Sequence, residues 1–323
     1  MINMEKLVHT PNSHPEWNES FYFCFSDREN KINAMTRLGL KPNKDEAMTF
    51  FLVFLPDGSV AGYRDTEGIN GEWGEHEWRA KGMRFMPQKD GSWRYSYTGP
   101  MIQVEKPSNF PMATQDKSLI KAVLSTRMDI HFNPIHKEYE YSEHMTPESL
   151  LIGKKAGDEH WEQIGLIEGT LSLGETTYKI HNQIGQRDHT YGVRDWTGVG
   201  DWLYYVVWFN EQLAANPAAI IMEDGRVSWG GFIYKDGENH PIVEMRVLDQ
   251  RFIDGVIPVS SKLELVTKNG EKHILEGKAG PVVPLPFMDK SGKLSVLAQS
   301  FGEFTIDDIG GGYGSFETLR VKR

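Results

Sequence analysis

Apolar and polar residues alternate along most of this chain with a period of two, and the alternation is broken by turn dipeptides. Trp93, Tyr95 and Tyr97 are spaced by polar residues, and so are Met128, Ile130 and Phe132. That period belongs to half-buried strands. Phe21–Phe25 and Thr49–Leu55 read as further strands. So do Ala218–Met222, Val227–Tyr234, Ile242–Leu248, Lys262–Val266 and Phe304–Ile306. Trp202–Phe209 (WLYYVVWF) is apolar on both faces and predicts a buried central strand. Asp-Gly or Asn-Gly stands at 57–58, 70–71, 90–91, 224–225, 236–237, 254–255 and 269–270. These pairs tolerate the positive φ of tight hairpins. One short helix is predicted, Pro147–Lys155, with Thr146 as its N-cap.

Many short strands with turns about every ten residues predict an all-β barrel or sandwich. No strand–helix alternation supports a doubly wound sheet. The polar stretch Glu143–Asp158 falls near the middle of the chain. It sets the expected boundary between two β domains, 1–155 and 156–323.

Composition narrows the function classes. The 323 residues carry 35 basic and 45 acidic side chains, a formal charge of −10, which disfavours nucleic acid and anionic membranes as partners. The single cysteine, Cys24, excludes an intrachain disulfide and sits in an apolar run, as an inert core residue would. No apolar run approaches the ~18 residues of a membrane span. The first twenty residues lack the apolar core of a signal peptide, so a cytoplasmic location is expected.

The densest chemistry lies between Glu159 and Trp202. Within it, RDHTYGVRDW (Arg187–Trp196) packs two Arg-Asp pairs, a histidine, a tyrosine and a tryptophan into ten residues. Asp188 beside His189 could form an acid–base pair, because a carboxyl walled by aromatic rings is pushed toward its protonated form. In a regular strand, however, Asp188 and His189 point to opposite faces, and only a bulge would bring them together. Structural ion pairing of Arg187–Asp188 and Arg194–Asp195 is the competing reading. In an extended segment His160 and Glu162 share one face. His136, Glu138 and Glu140 would also share one, a weak metal signal that matches no established signature. GGGYG at 310–314 lacks the helix of a phosphate cradle and predicts a glycine-rich bend that closes a barrel. No Gly-x-Ser-x-Gly elbow is present.

HWEQIGLIEGTL, RDHTYGVRDW, the strand from Trp202 and the early WNESFYFCFSD together resemble the carotenoid 1,2-hydratase-like superfamily. That grouping includes hydroxyneurosporene synthases, AttH-like and kievitone-hydratase-like proteins, and fungal decalin-forming cyclases. The closest likeness is to a bacterial branch with an Arg-Asp-His-x-x-Gly-x-Arg-Asp-Trp signature, here with Tyr191 where tryptophan is more usual. The resemblance implies two lipocalin-like, calycin-type antiparallel barrel halves with an apolar pocket. It also implies cofactor-independent, metal-free chemistry on hydrophobic substrates such as terpenoids, steroid-like molecules or aromatic natural products. A hydratase/dehydratase is the leading expectation. An isomerase or cyclase, or a lipocalin-type carrier, is the alternative, and a homo-oligomer is allowed. In the leading reading Asp188 donates the proton, and His189, or Glu162 with His160, activates water. Trp161, Tyr191, Trp196 and Trp202 shield the developing cation. Arg187, Arg194 and Asp195 orient the site or the substrate.

Overall fold

The structure, a computed structural model, describes residues 6–69, 73–194, 196 and 198–322. It is 67% strand and 6% helix, all-β as expected. The chain divides into two compact units.

The first unit is made by β1 (Trp17–Asp27), β2 (Ile32–Lys41), β3 (Glu46–Phe54), β4 (Val60–Glu67), β5 (Trp73–Gly74), β6 (Glu77–Ala80), β7 (Met83–Pro87), β8 (Trp93–Val104) and β9 (Ile120–Pro134). After the two-residue β10 (Tyr139–Glu140) and helix α1 (Pro147–Gly153), the chain supplies β11 (Glu159–Leu173) and β12 (Thr176–Val193). β12 pairs with β1, and β9 pairs with both β8 and β11. Eight antiparallel strands therefore close a ring in the order β11-β12-β1-β2-β3-β4-β8-β9. Its interior is aromatic: Phe21, Phe23, Phe25, Trp78, Phe85, Trp93, Tyr95 and Phe132 are all nearly or wholly buried.

The second unit is an eight-stranded closed barrel. Its strands are β13 (Asp201–Asn210), β14 (Leu213–Ile221), β15 (Val227–Lys235), β16 (Glu238–Ile253), β17 (Ile257–Thr267), β18 (Lys272–Met288), β19 (Leu294–Ile306) and β20 (Ile309–Val321). Leu203, Tyr205, Val207, Leu263, Leu265, Phe304 and Phe316 fill it. α1 belongs to this unit and packs on β15, where the Ser228 hydroxyl donates to the Ser149 carbonyl at 2.7 Å.

Six of the seven turn dipeptides lie between paired strands, and Asn70–Gly71 lies outside the described residues. At Asp236–Gly237 both residues have positive φ (50° and 92°), the backbone that a two-residue hairpin requires. Thr146 caps α1 by accepting from the Ser149 N–H at 3.2 Å, as the sequence predicts. Two expectations change. The division is not one cut at 155/156: the first unit takes in Glu159–Val193, and the second combines Pro107–Pro111 and Glu140–Asp158 with the chain from Arg194 onward, because β11 and β12 complete the first ring through long-range pairing. GGGYG lies in the first half of β20 and carries a bulge, with Gly311 at φ 80° and a register shift against β19 between Phe304 and Ile306, while the hairpin reversal itself comes earlier, at Asp307 and Asp308, both with positive φ.

Gly314 shows why that run needs glycine. A Cβ there would stand 1.8 Å from the Val206 carbonyl oxygen on the neighbouring β13. Gly314→Ala must push two ladder-bonded strands apart. We expect a loss of about 3 kcal/mol in denaturant unfolding, at the upper end for overpacking.

Candidate functional site

β12 runs between β1 and β11 without a bulge through Arg187–Val193, and the parity of its side chains divides the candidate residues into two groups. On the face toward the aromatic interior stand Arg187, His189 and Tyr191, opposite Gln163, Trp161 and Glu159 of β11 and Phe23, Phe21 and Glu19 of β1. On the other face Asp188 stands opposite Glu162 and Tyr22, and Thr190 opposite His160 and Ser20. Asp188 and His189 are therefore not a pair. The period-two backbone separates them, and no bulge intervenes.

On the inner face, Glu19 joins two histidines. Its Oε1 lies 2.6 Å from His9 Nδ1 and 3.0 Å from His189 Nε2, and its Oε2 accepts from the His9 backbone N–H at 3.0 Å. The Glu19 and His189 side chains are buried, and that of His9 is 16% exposed. Burial pushes the Glu19 carboxyl up. The hydrogen bonds from His189 and His9 and the charge on His189 outweigh it, and the carboxyl is held below its usual range. Aromatic rings surround the cluster. His9 stacks on Tyr191 (3.8 Å between centroids, 18°), and His189 stacks on Phe21 (4.1 Å) and Trp161 (5.2 Å). Leu7, just before His9, is buried against the same core, which anchors this irregular segment.

Glu19 and His9 did not stand out in the sequence. Glu19 left a signal: Trp17, Glu19, Phe21, Phe23 and Phe25 share one strand face, and an acid in such a stripe needs a partner. His9 left none, because it lies in an irregular segment that only the folded chain brings to β12.

Arg187 is 1% exposed. Its Nε donates to Gln163 Oε1 at 2.8 Å, a terminal nitrogen lies 3.4 Å from Glu138, and its guanidinium carbon lies 4.9 Å from the Trp93 ring centroid. These contacts make it a tie between β12, β11 and the segment after β9.

On the outer face His160 Nε2 lies 2.8 Å from Glu162 Oε1, and His160 Nδ1 lies 2.6 Å from Thr190 Oγ1. The Gln186 amide donates to Glu162 Oε2. Asp188 joins this group, with one donor atom from each of His160, Glu162 and Asp188 all within 4.8 Å of one another.

The remaining expected residues belong to the second unit. Arg194 donates to the Ala156 carbonyl at 2.7 Å and sits over the Trp196 ring at 5.5 Å. Trp196 stacks on Phe287 (4.9 Å, 8°) and packs 5.2 Å from Trp202, whose indole N–H donates to Glu317 at 3.0 Å. Leu203, Tyr205 and Val207 fill the barrel, so Trp202 points to its outside. Asp195 lies outside the described residues. A cavity of ≈ 360 Å³ opens on the outward face of β7–β9, lined by Arg84, Arg94, Arg127 and Asp129 among others; it shares no residue with the decapeptide.

The weak metal signal at 136–140 dissolves. His136 turns inward, accepts from the Ile164 N–H through Nε2 at 2.9 Å and makes a 2.5 Å contact from Nδ1 to the Lys137 carbonyl, while Glu138 faces Arg187. Desolvation, aided by the nearby Arg187 charge, lowers the His136 pKa to about 4. An unfolded histidine titrates near 6.5, so below that pH the unfolded chain takes up the proton first. The stability held by this neutral ring is complete above about pH 6.5 and is lost as pH falls toward 4. We expect ~3 kcal/mol of the acid-side loss to vanish in His136→Gln, read from unfolding free energies at pH 7.5 and 4.5.

Over residues 4–322 the chain matches a family described as a domain of unknown function, DUF7064. The chain belongs to the DUF7064 family. No curated protein sequence matches it. Among solved structures, an AttH-like protein from Nitrosomonas europaea is 11% identical with a TM-score of 0.64, over 100% of this chain and 99% of that one. CghA is 8% identical with a TM-score of 0.57, over 95% and 88%. Kievitone hydratase from Nectria haematococca is 9% identical with a TM-score of 0.56, over 97% and 90%. This DUF7064 chain thus has the fold of the AttH- and hydratase-like structures, as its motifs lead one to expect. Among its described residues no helix is long and apolar enough to cross a membrane.

Proposed function

We propose that this DUF7064 protein is a cofactor-independent hydratase/dehydratase, a carbon–oxygen lyase acting on a hydrophobic natural product of terpenoid, steroid-like or aromatic type. One observation carries the reading: a buried carboxylate, Glu19, is held between two imidazoles inside an aromatic wall. The hydratase among its structural neighbours, and the solution of CghA with Sch210972, accord with small-molecule chemistry on this fold. On the same reading, the RDHxxGxRDW likeness supports membership of the bacterial branch of that superfamily.

The acid–base role passes from Asp188 to His9, with His189 retained beside it. His9 uses Nδ1 on Glu19, which leaves Nε2 as the working nitrogen. In dehydration, the His9 imidazolium gives its Nε2 proton to the departing hydroxyl, which leaves as water. The neutral ring then takes the proton from the adjacent carbon, and the C–H electrons form the alkene. Hydration runs the same steps backward. Glu19 stabilises the imidazolium and fixes its orientation, and His189 positions Glu19 from behind. Trp161 and Tyr191 offer π faces to a carbocation that forms during C–O cleavage. Such acid–base help contributes ~10²–10⁴-fold, and orientation with water exclusion supplies the remainder.

The test is turnover of a panel of apolar alkenes and tertiary or allylic alcohols in ¹⁸O-labelled water. Hydration places the label in the product. An unlabelled rearranged product would point to an isomerase or cyclase, and ligands recovered unchanged would point to a carrier.

A further inference from the structure

The outer face of the β11–β12 ladder holds a charge arrangement that the proposed reaction does not use. Glu162 and Asp188 are direct cross-strand partners. Like charges in that position repel, and the Glu162 side chain is fully buried, where water cannot screen it. The donors are already organised around the opposed carboxylates. His160 is anchored through Nδ1 on the buried Thr190 hydroxyl, which fixes the ring and aims Nε2 at Glu162 Oε1. A metal-bound histidine is commonly held this way, with its second nitrogen on a hydrogen-bonding partner. Gln186 supplies the independent observation. The residue is 1% exposed, its amide nitrogen is spent on Glu162 Oε2, and its Oε1 is buried with no hydrogen-bond partner. A buried amide oxygen next to the Glu162 carboxylate, on the strand face that also carries Asp188, is a suitable ligand for a cation.

We propose that His160 Nε2, Glu162, Asp188 and Gln186 Oε1 bind one divalent cation between β11 and β12. One imidazole with oxygen donors suits Zn²⁺ or Mn²⁺ better than Mg²⁺ or Ca²⁺, which prefer all-oxygen sites. The donor atoms of His160, Glu162 and Asp188 lie within 4.8 Å of one another, a span that one ion with bonds of ~2.0–2.2 Å can bridge. The ion would replace the His160–Glu162 hydrogen bond, cancel the repulsion and pin the two strands that carry His189 and Trp161 on their opposite face. The site is independent of the reaction proposed above.

The test is calorimetric titration of the chelator-stripped full chain with ZnCl₂, MnCl₂ and MgCl₂, alongside thermal unfolding at saturating metal. We expect one Zn²⁺ or Mn²⁺ per chain, weaker Mg²⁺ binding, and a higher Tm with metal. Asp188→Asn and His160→Ala should abolish both the binding and the Tm increment. Gln186→Leu should weaken binding by about 10–100-fold, as changes next to a metal commonly do. His160 is partly exposed, so its alanine variant keeps the test open if Asp188→Asn misfolds. His9→Gln should bind the ion as the parent does. Absence of binding, undiminished binding in both His160→Ala and Asp188→Asn, or loss of the ion in His9→Gln would each overturn the proposal.

Discussion

Replacing Glu19 with glutamine is expected to abolish most turnover and to cost about 3 kcal/mol of stability. The carboxylate serves three donors at once, from the His9 ring, the His9 backbone and His189. Glutamine keeps the volume but offers one oxygen and an NH₂ group. The NH₂ group would face the His9 backbone N–H or, with the amide turned, both ring nitrogens, and either way a donor in this largely buried cluster loses its acceptor. The pH profile identifies the cause. The Glu19 carboxyl titrates below its ordinary value of 4.5 in the folded chain. Its contribution is therefore fully present above that value and is lost as pH falls through it toward the lower folded value. In Glu19→Gln this segment of the acid-unfolding curve should flatten, while the segment between pH 6.5 and 4 assigned to His136 should persist. Urea unfolding from pH 7.5 to 3.5 reads both. Unchanged stability and an unchanged acid limb would remove Glu19 from the account.

Arg187→Met is the second large effect. The guanidinium is buried among Gln163, Glu138 and the Trp93 face. Methionine fills much of the space but leaves the Gln163 oxygen without its donor and Glu138 without its cation. Breaking a buried charged contact from one side costs ~3–5 kcal/mol. For a chain of this size that amounts to a fall of roughly 10 °C in Tm. Arg187→Lys should recover only part of it, since an ammonium cannot reproduce the planar fork that spans two partners. Differential scanning calorimetry of the two variants measures both numbers. Full recovery by lysine would show that charge alone matters at this position.

The fold was legible where it is local. Asp57-Gly58, Asp90-Gly91 and Asn269-Gly270 mark hairpins because a tight reversal needs a particular φ from the residues in it. Thr146 marks the helix start for a similar reason. The domain boundary was not legible. β11 and β12 join the first ring through pairing of Arg187 with Phe23 and of Phe132 with Ile167, and no local pattern records such distant contacts. The site divides in the same way. Period two already placed Asp188 and His189 on opposite faces, and His160 with Glu162 on one. The decapeptide is rich in ionisable groups because one strand serves two clusters, one on each side of the sheet. His9 could be found only once the chain was folded.

The most direct test of the central claim is turnover by His9→Gln, with folding followed by circular dichroism. His9 lies in an irregular, partly exposed segment, so its loss should barely disturb the barrel. The account predicts a kcat/KM lower by about 10²–10⁴-fold with an intact spectrum. A folded His9→Gln protein that turns substrate over at the parent rate would contradict it.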